Sequence, residues 1–379
     1  MKWFYRLCRQ DPDTREGVVM ATSILGVLAN LLVAGAKVGI GVLASSIAIV
    51  SEGVNNAADA VTSVLTIVGT KLAGKRPTKK HPFGFGRIEY LTSLVIAAMI
   101  LLTGWEFLAE SVRRIFHPPE GLSITYLALG IVVGSAVVKL ALGIYTVAMG
   151  RKVGSGPLVA VGTDCKNDVL VSLVTILSAV VFLAWGVSID AYAGVVTSVF
   201  ILKAGFDVMK ETVGALLGQP ADKAFADALY RRIRANPLVL NAADMMLHNY
   251  GPDRYSGSVN LEVDHSTSVS ELYAAIHRLQ LDIMHELGVT MVFGVYAVDR
   301  DHAAHRELRK LVADFVRGYD HAVSYHAIYI PEGEKKIYCD IVVDYELHDW
   351  ADLREAFTAL MHRHYPDYGL ELVIETEYV

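Results

Sequence analysis

The chain has 379 residues, 53% of them hydrophobic, with a mean hydropathy of +0.39, which is too apolar for an ordinary soluble enzyme and long enough for two or more domains. Its net charge of −6 is modest, and no Lys/Arg tract continues along a helix or loop, so nucleic-acid binding has no electrostatic footprint. The three cysteines, Cys8, Cys165 and Cys339, are scattered without CxxC spacing, so neither a disulfide framework nor a thiolate zinc cluster is indicated.

In chain order, apolar runs cover 17–43, 46–73, 88–112, 123–149, 157–184 and 189–217. Each is long enough to cross a hydrocarbon core of ~30 Å. The first is longer than a secretory signal's apolar region and lacks a small-residue cleavage site, so it is expected to remain as a membrane helix. Six spans return both termini to one side, and basic residues choose that side. Lys2, Arg6, Arg9 and Arg15 precede the first run, Lys75, Arg76, Lys79, Lys80 and Arg87 follow the second, and Arg151 and Lys152 follow the fourth. These segments share a face, which predicts a multi-pass protein of the cell (inner or plasma) membrane with both termini in the cytoplasm. Gly130, Gly134 and Gly143 suit close helix packing in the fourth run. Lys139, Glu106, Glu110, Asp190, Lys203 and Asp207 read as snorkelling or paired charges.

The fifth run holds Asp164 and Asp168, and the second holds Asn55 and Asp59, each pair four residues apart. That spacing puts both members on one helix face. A charge at the bilayer centre costs roughly 2.5–3.5 kcal/mol on insertion scales, so the carboxylates need a reason, and a bound cation supplies one. Glu52 lies one turn before Asn55 and could line the ion's path or sit at a helix end. The loop from Lys75 to Tyr90 is basic and rich in Pro and Gly, but it lacks the spacing of a phosphate-binding fingerprint. Its His81 alone reads as structural.

From 222 the pattern changes to helix 222–234, strands 242–250 and 256–264, helix 268–286 and strand 289–298. The order then recurs at 302–317, 321–330, 336–344, 349–363 and 369–377. Ser258-Val-Asn-Leu-Glu-Val-Asp264 and Tyr338-Cys-Asp-Ile-Val-Val-Asp344 fall at like places, so the second half reads as a duplicate of the first. The expected domains are a cytoplasmic N-terminal segment (1–16), a six-helix transmembrane domain (17–217), a ferredoxin-like α+β domain (218–300) and a second such repeat (301–379). His302, His305, His321 and His326 stand among charged residues and fit a solvated surface. No catalytic constellation can be placed, so an enzyme is not expected.

Six spans, carboxylates in the second and fifth, a His-Pro-Phe-Gly-x-Gly-x-x-Glu loop and an α/β tail together resemble the cation diffusion facilitator family of divalent-metal/proton antiporters. The resemblance covers about 17–300. It implies a homodimer in the lipid bilayer that moves metal out of the cytoplasm in exchange for protons, with no prosthetic group. It also implies a transport site built from Asn55, Asp59, Asp164 and Asp168. Zinc-transporting members place at least one His in such a quartet, and none stands here. Carboxylate and carbonyl oxygens suit Mn²⁺ better than imidazole-preferring Zn²⁺, so the manganese branch is expected. Phe85 stands where some members have a second loop His. Ala243 and Asn260 stand near positions where zinc-loaded tails carry His, which leaves Asp244, His248 and His265 as regulatory-metal candidates. A broad divalent exporter, a membrane-anchored metal sensor and a channel remain alternatives. Flux measurements in proteoliposomes separate them.

Overall fold

A computed structural model describes residues 10–43, 47–117, 126–185, 189–252, 254–299, 303–331 and 333–376. The chain forms two compact units, 1–219 with 250–253, and 220–249 with 254–379.

The first unit consists of long helices: α1 (Arg15–Leu43), α2 (Ile47–Ala73), α3 (Ile88–Phe116), α4 (Tyr126–Lys152), α5 (Gly156–Trp185) and α6 (Asp190–Leu217). Among the described residues, α1, α3, α4 and α6 contain stretches long and apolar enough to cross a membrane. The other two, α2 and α5, carry the acidic residues singled out above. Exposed Leu and Val side chains along these helices, such as Leu32, Leu102, Val137 and Leu173, are what a lipid-facing surface requires.

The helices pack chiefly as α1 with α2, α3 with α6, and α4 with α5. Small residues set the last of these contacts. A Cβ on Gly143 would come 3.1 Å from the Gly162 carbonyl oxygen and from the Cys165 Cβ, and one on Gly162 would come 2.6 Å from Val147. Backbone approach this close tolerates little but glycine. Gly130 and Gly134 differ from the expectation, because a Cβ on either would meet nothing within 4 Å. Cys165 is buried in the same contact, as a small apolar residue would be.

One ion pair ties α1 to α3. Arg15 Nη2 lies 2.6 Å from Oε1 of Glu89, the acidic residue of the loop motif, whose side chain is only 1% exposed. Arg15 Nε also donates to the Val153 carbonyl oxygen at 2.8 Å, and Nη2 donates to that of Gly154 at 3.1 Å.

The second unit runs α7 (Lys223–Arg234), β1 (Asn241–Asn249), β2 (Tyr255–Asp264), α8 (Val269–Leu287), β3 (Val289–Val298), α9 (Ala303–Gly318), β4 (Ala322–Tyr329), β5 (Lys336–Val343), α10 (Ala351–His364) and β6 (Gly369–Thr376). Local chemistry fixes several boundaries. The Asp222 carboxylate caps α7 by accepting from the Ala224 and Phe225 amides, and Ser268 caps α8 by accepting from Glu271 N–H. Gly288, at φ 69°, ends α8 in the left-handed conformation that glycine adopts without penalty.

Two three-stranded sheets form, ordered β1-β2-β3 and β4-β5-β6. In each, the first pair is antiparallel and the second parallel. Alternation along the central strands sends Val259, Leu261 and Val263 of β2 into one core, and Ile337, Cys339, Ile341 and Val343 of β5 into another. Helices α7 and α8 cover the first core with Leu229, Ile233, Leu279 and Ile283, and helices α9 and α10 cover the second with Leu308, Val312, Leu353 and Phe357. The alternate residues, Asn260 and Asp340, point to the opposite faces of their sheets.

Because Glu89 is buried against one guanidinium, Arg15→Ala should leave an uncompensated charge and cost roughly 3 kcal/mol. The expected result is a melting temperature several degrees lower for the full chain in detergent. An unchanged melting temperature would show that Glu89 is compensated in another way.

Candidate functional site

Three helices of the first unit bring ionisable side chains together. Asp59 lies on α2, Lys139 on α4 and Asp168 on α5. Lys139 Nζ donates to Asp59 Oδ2 at 2.6 Å and also to Asp168 Oδ2. The Lys139 side chain is 6% exposed, against 16% for Asp59 and 22% for Asp168, so the ammonium is the most enclosed member of the cluster. Asp164 sits one turn before Asp168 and lies within the electrostatic field of Asp59, Asp168 and Lys139. A second lysine is buried nearby, with Lys37 Nζ donating to the Asn56 side-chain oxygen at 3.4 Å.

Of the four expected transport ligands, the structure gives Asp59 and Asp168 a shared partner, and it places Asp164 beside them. The side chains of Asn55 and Glu52 lie outside the described residues. Among the described residues, Asp59, Asp164 and Asp168 do not converge to within 4.8 Å of one another as a ligand set. A lysine ammonium stands between two of them instead. Lys139 therefore follows the paired-charge reading and not the snorkelling one. Glu110 also follows the paired-charge reading, 2.9 Å from Arg114.

The second unit has a cluster of its own, on the sheet faces turned away from the two cores. His326 of β4 is 3% exposed, contrary to the solvated surface expected for it. Its Nε2 lies 2.7 Å from Asp244 Oδ1 of β1 and 3.1 Å from Glu375 Oε1 of β6, with Asp340 Oδ2 of β5 at 3.6 Å. The ring N–H is not aligned for a hydrogen bond to any of them. Asp244 Oδ2 accepts from Asn260 Nδ2 at 2.7 Å and from the Tyr296 hydroxyl at 2.9 Å. The Tyr296 ring stacks on His326 with centroids 5.9 Å apart. Backbone conformation helps to aim these groups. Asp244 has φ 54°, at an irregularity between Ala243 and Met246, and Ala327 has φ 52°, at one between His326 and Tyr329. An Arg309–Glu262 pair at 3.4 Å adds a further link between the two halves.

Electrostatics follow from this crowding. Burial would raise the Asp244 carboxyl, but its contact with His326 and the hydrogen bond from Asn260 hold it well below the usual carboxylate range. Burial, and then Asp244 beside it, push Glu375 up to about 7. His326 is raised, because its acidic neighbours outweigh the burial that opposes its charge. A cavity of about 260 Å³ opens here, lined by Asp244, His326 and Glu375 among others.

Asp244, His326 and Glu375 form the one group of three or more such donors, among the described residues, whose ligand atoms all lie within 4.8 Å. The Nε2 separations of 2.7 and 3.1 Å from two carboxylate oxygens lie near the ~3.0 Å of right-angled coordination and short of the ~3.4 Å of a tetrahedral site, so an ion about 2.1 Å from each donor would spread the closer pair. Asp244 therefore stands with companions other than the expected His248 and His265. His248 is exposed, and exposed His265 lies 3.8 Å from Asp264 and 3.9 Å from Asp299.

A unit of long helices, among them stretches long and apolar enough to cross a membrane, with a buried lysine paired to two aspartates from neighbouring helices, is that of a membrane protein. A profile described as the cation efflux transmembrane domain matches residues 23–217. An uncharacterized transporter of Methanocaldococcus jannaschii is 30% identical over 251 residues, 66% of this chain and 88% of its own. The manganese efflux system protein MneS of Bacillus subtilis is 30% identical over 197 residues, 51% of this chain and 67% of that protein. The cadmium, cobalt and zinc/H(+)-K(+) antiporter of Bacillus subtilis is 22% identical over 254 residues, 66% of this chain and 80% of its own. The chain belongs to the cation efflux family, whose members are membrane transporters of cations and not enzymes.

Glu375 provides a test of the second cluster. Its folded value of about 7 stands above the ordinary 4.5, so the folded state holds the proton more tightly than the unfolded one. The stability this contributes is fully present below about pH 4.5 and is lost as pH rises through about 7. In chelator, Glu375→Gln should match the native protein near about pH 5 and melt at a higher temperature near about pH 8. Thermal unfolding of the C-terminal unit within the full chain reads both, and parallel pH profiles would refute the assignment.

Proposed function

We propose that this protein is a Mn²⁺/H⁺ antiporter that exports the metal from the cytoplasm through a six-span domain. The observation that carries this reading is the pair Asp59 and Asp168, held on one buried cation in the segment that matches the family's transmembrane domain. Asn55, Asp59, Asp164 and Asp168 are the proposed transport ligands. Three carboxylates and one amide oxygen form a hard, roomy set that suits a six-coordinate ion completed by water. Protons from the far side compete for the crowded carboxylates and release the metal. The manganese efflux relative MneS supports this cargo. The cadmium, cobalt and zinc antiporter, at lower identity, supports the broader reading of a general divalent exporter.

The spans are α1 to α6, with both termini cytoplasmic, as the basic loops argue. The remaining division is 1–16 for the N-terminal segment, 17–217 for the transport domain, and 218–300 and 301–379 for two ferredoxin-like repeats. The like element order, the like strand pairing and the shared left-handed residues Asp244 and Ala327 support an internal duplication. The resemblance supports a homodimer.

A second observation favours a regulatory role for the tail. Asp244, His326 and Glu375 would hold a divalent ion that joins the two repeats, and the buried His326 would supply the nitrogen ligand. A sensor without transport would need the tail site alone, so flux separates the classes.

Asp59→Asn and Asp168→Asn should each abolish Mn²⁺ exchange in proteoliposomes while leaving the protein folded, and full transport by both would reject the ligand assignment. Initial rates at equal free metal concentration test the cargo. Native protein should move Mn²⁺ faster than Zn²⁺, and Asn55→His should shift the ratio toward Zn²⁺. Faster Zn²⁺ in the native protein, or a ratio that Asn55→His leaves unchanged, would replace manganese with the broad exporter.

A further inference from the structure

Lys139 is not among the proposed transport ligands, yet it pairs with two of them. Its ammonium bridges Asp59 of α2 and Asp168 of α5 from a third helix, α4. A bystander would be expected at a membrane interface, where the long stem lets the charge snorkel to water. Here the stem is enclosed and the charge faces inward. Gly143 stands one turn further along α4, on the same face, and sits against the Gly162 carbonyl and Cys165 of α5. The base of the stem is thereby set one turn from a close backbone contact between α4 and α5, near the helix face that carries Asp164 and Asp168. The ammonium accepts nothing and donates to both carboxylates through charge-assisted hydrogen bonds.

An ammonium and a divalent ion cannot occupy the space between these two carboxylates together. Resting on the transport-site assignment above, we propose that Lys139 is a tethered counter-cation which fills the empty site and is displaced by the metal on binding. Two consequences follow. The empty carrier never exposes two bare carboxylates to the apolar interior, so it can change conformation without cargo. Metal must also break both lysine contacts to enter, which weakens binding and makes release on the far side easier. The ammonium keeps its charge throughout and exchanges position with the ion. A permanent structural ion pair makes the opposite demand, because the metal would then have to bind beside an immobile lysine.

The test is Mn²⁺ binding to the purified full chain in detergent by equilibrium dialysis, comparing the native protein with Lys139→Met, alone and combined with Asp59→Asn. Lys139→Met should bind Mn²⁺ on the order of tenfold more tightly, the equivalent of one charge-assisted hydrogen bond no longer broken. It should also exchange Mn²⁺ more slowly in proteoliposomes, because release becomes harder. Adding Asp59→Asn should remove the gain. Binding equal to or weaker than native in folded Lys139→Met would overturn the proposal. A measurement on the native chain covers the case in which that variant does not fold. Reductive methylation of Lys139, read by mass spectrometry, should rise with Mn²⁺ concentration as the ammonium leaves the carboxylates, and labelling that Mn²⁺ leaves flat or lowers would also overturn it. The two readings fail separately. If Asp59→Asn and Asp168→Asn leave Mn²⁺ binding intact, the transport site is wrong. If they abolish binding while Lys139→Met binds no tighter, only the displacement falls.

Discussion

A carboxylate in an apolar interior must have a cation, and much of this chain's transmembrane half is arranged around that demand. Desolvating an ion costs several kcal/mol even after relaxation, and attraction offsets it only when the partner is close and well oriented. Asp59 and Asp168 come from helices separated by about a hundred residues of sequence, and what joins them is one lysine from a third helix. Packing serves this arrangement. The small residues along α4 and α5 allow the backbones to approach, and that approach carries the Lys139 stem to the acidic face of α5.

The C-terminal unit meets the same constraint with different chemistry. His326 is surrounded by Asp244, Asp340 and Glu375, and a single imidazolium cannot balance three carboxylates. The strain is distributed through protonation: Glu375 is pushed up to about 7 while Asp244, held by Asn260 and His326, stays low. Here the groups lie outside the long apolar helices and border a cavity, so part of the imbalance is met by holding a proton on Glu375. In the membrane unit the same imbalance has to be met by a side chain or an ion.

Much of this was legible in the sequence, because charge within an apolar run is a local signal. Asp59, Asp164 and Asp168 stand out by composition alone, and period-four spacing assigns each helical pair to one face. Element boundaries in the second unit were equally readable, since Asp222, Ser268 and Gly288 mark helix ends by their own hydrogen-bonding and backbone chemistry. Partnership was not legible. Lys139 lies 80 residues from Asp59 in the chain, and no periodicity says which face of α4 meets α2. His326 was misread for a related reason. Its neighbours in β4 alternate as an ordinary half-exposed strand would, and its burial comes from Asp244 of β1 and Tyr296 of β3, which belong to the other sheet, with Glu375 of β6 beside it in its own. Gly130 and Gly134 show the limit from the other side, because a small residue permits a contact without creating one.

The distribution of the membrane cluster over the helices has a mechanical consequence. Asp168 and Lys139 belong to α5 and α4, which are closely packed along their length, so they form one body. Asp59 belongs to α2, whose main partner is α1 and which touches α5 only lightly. A relative motion of the α1–α2 pair against the α4–α5 pair therefore changes the Asp59–Asp168 separation without disturbing either close-packed contact. Drawn together, the two carboxylates can share a cation; moved apart, they cannot. The site thus lies across the light contacts that α2 makes with α4 and α5, where a small rigid-body shift has a large effect on how a bound ion is held.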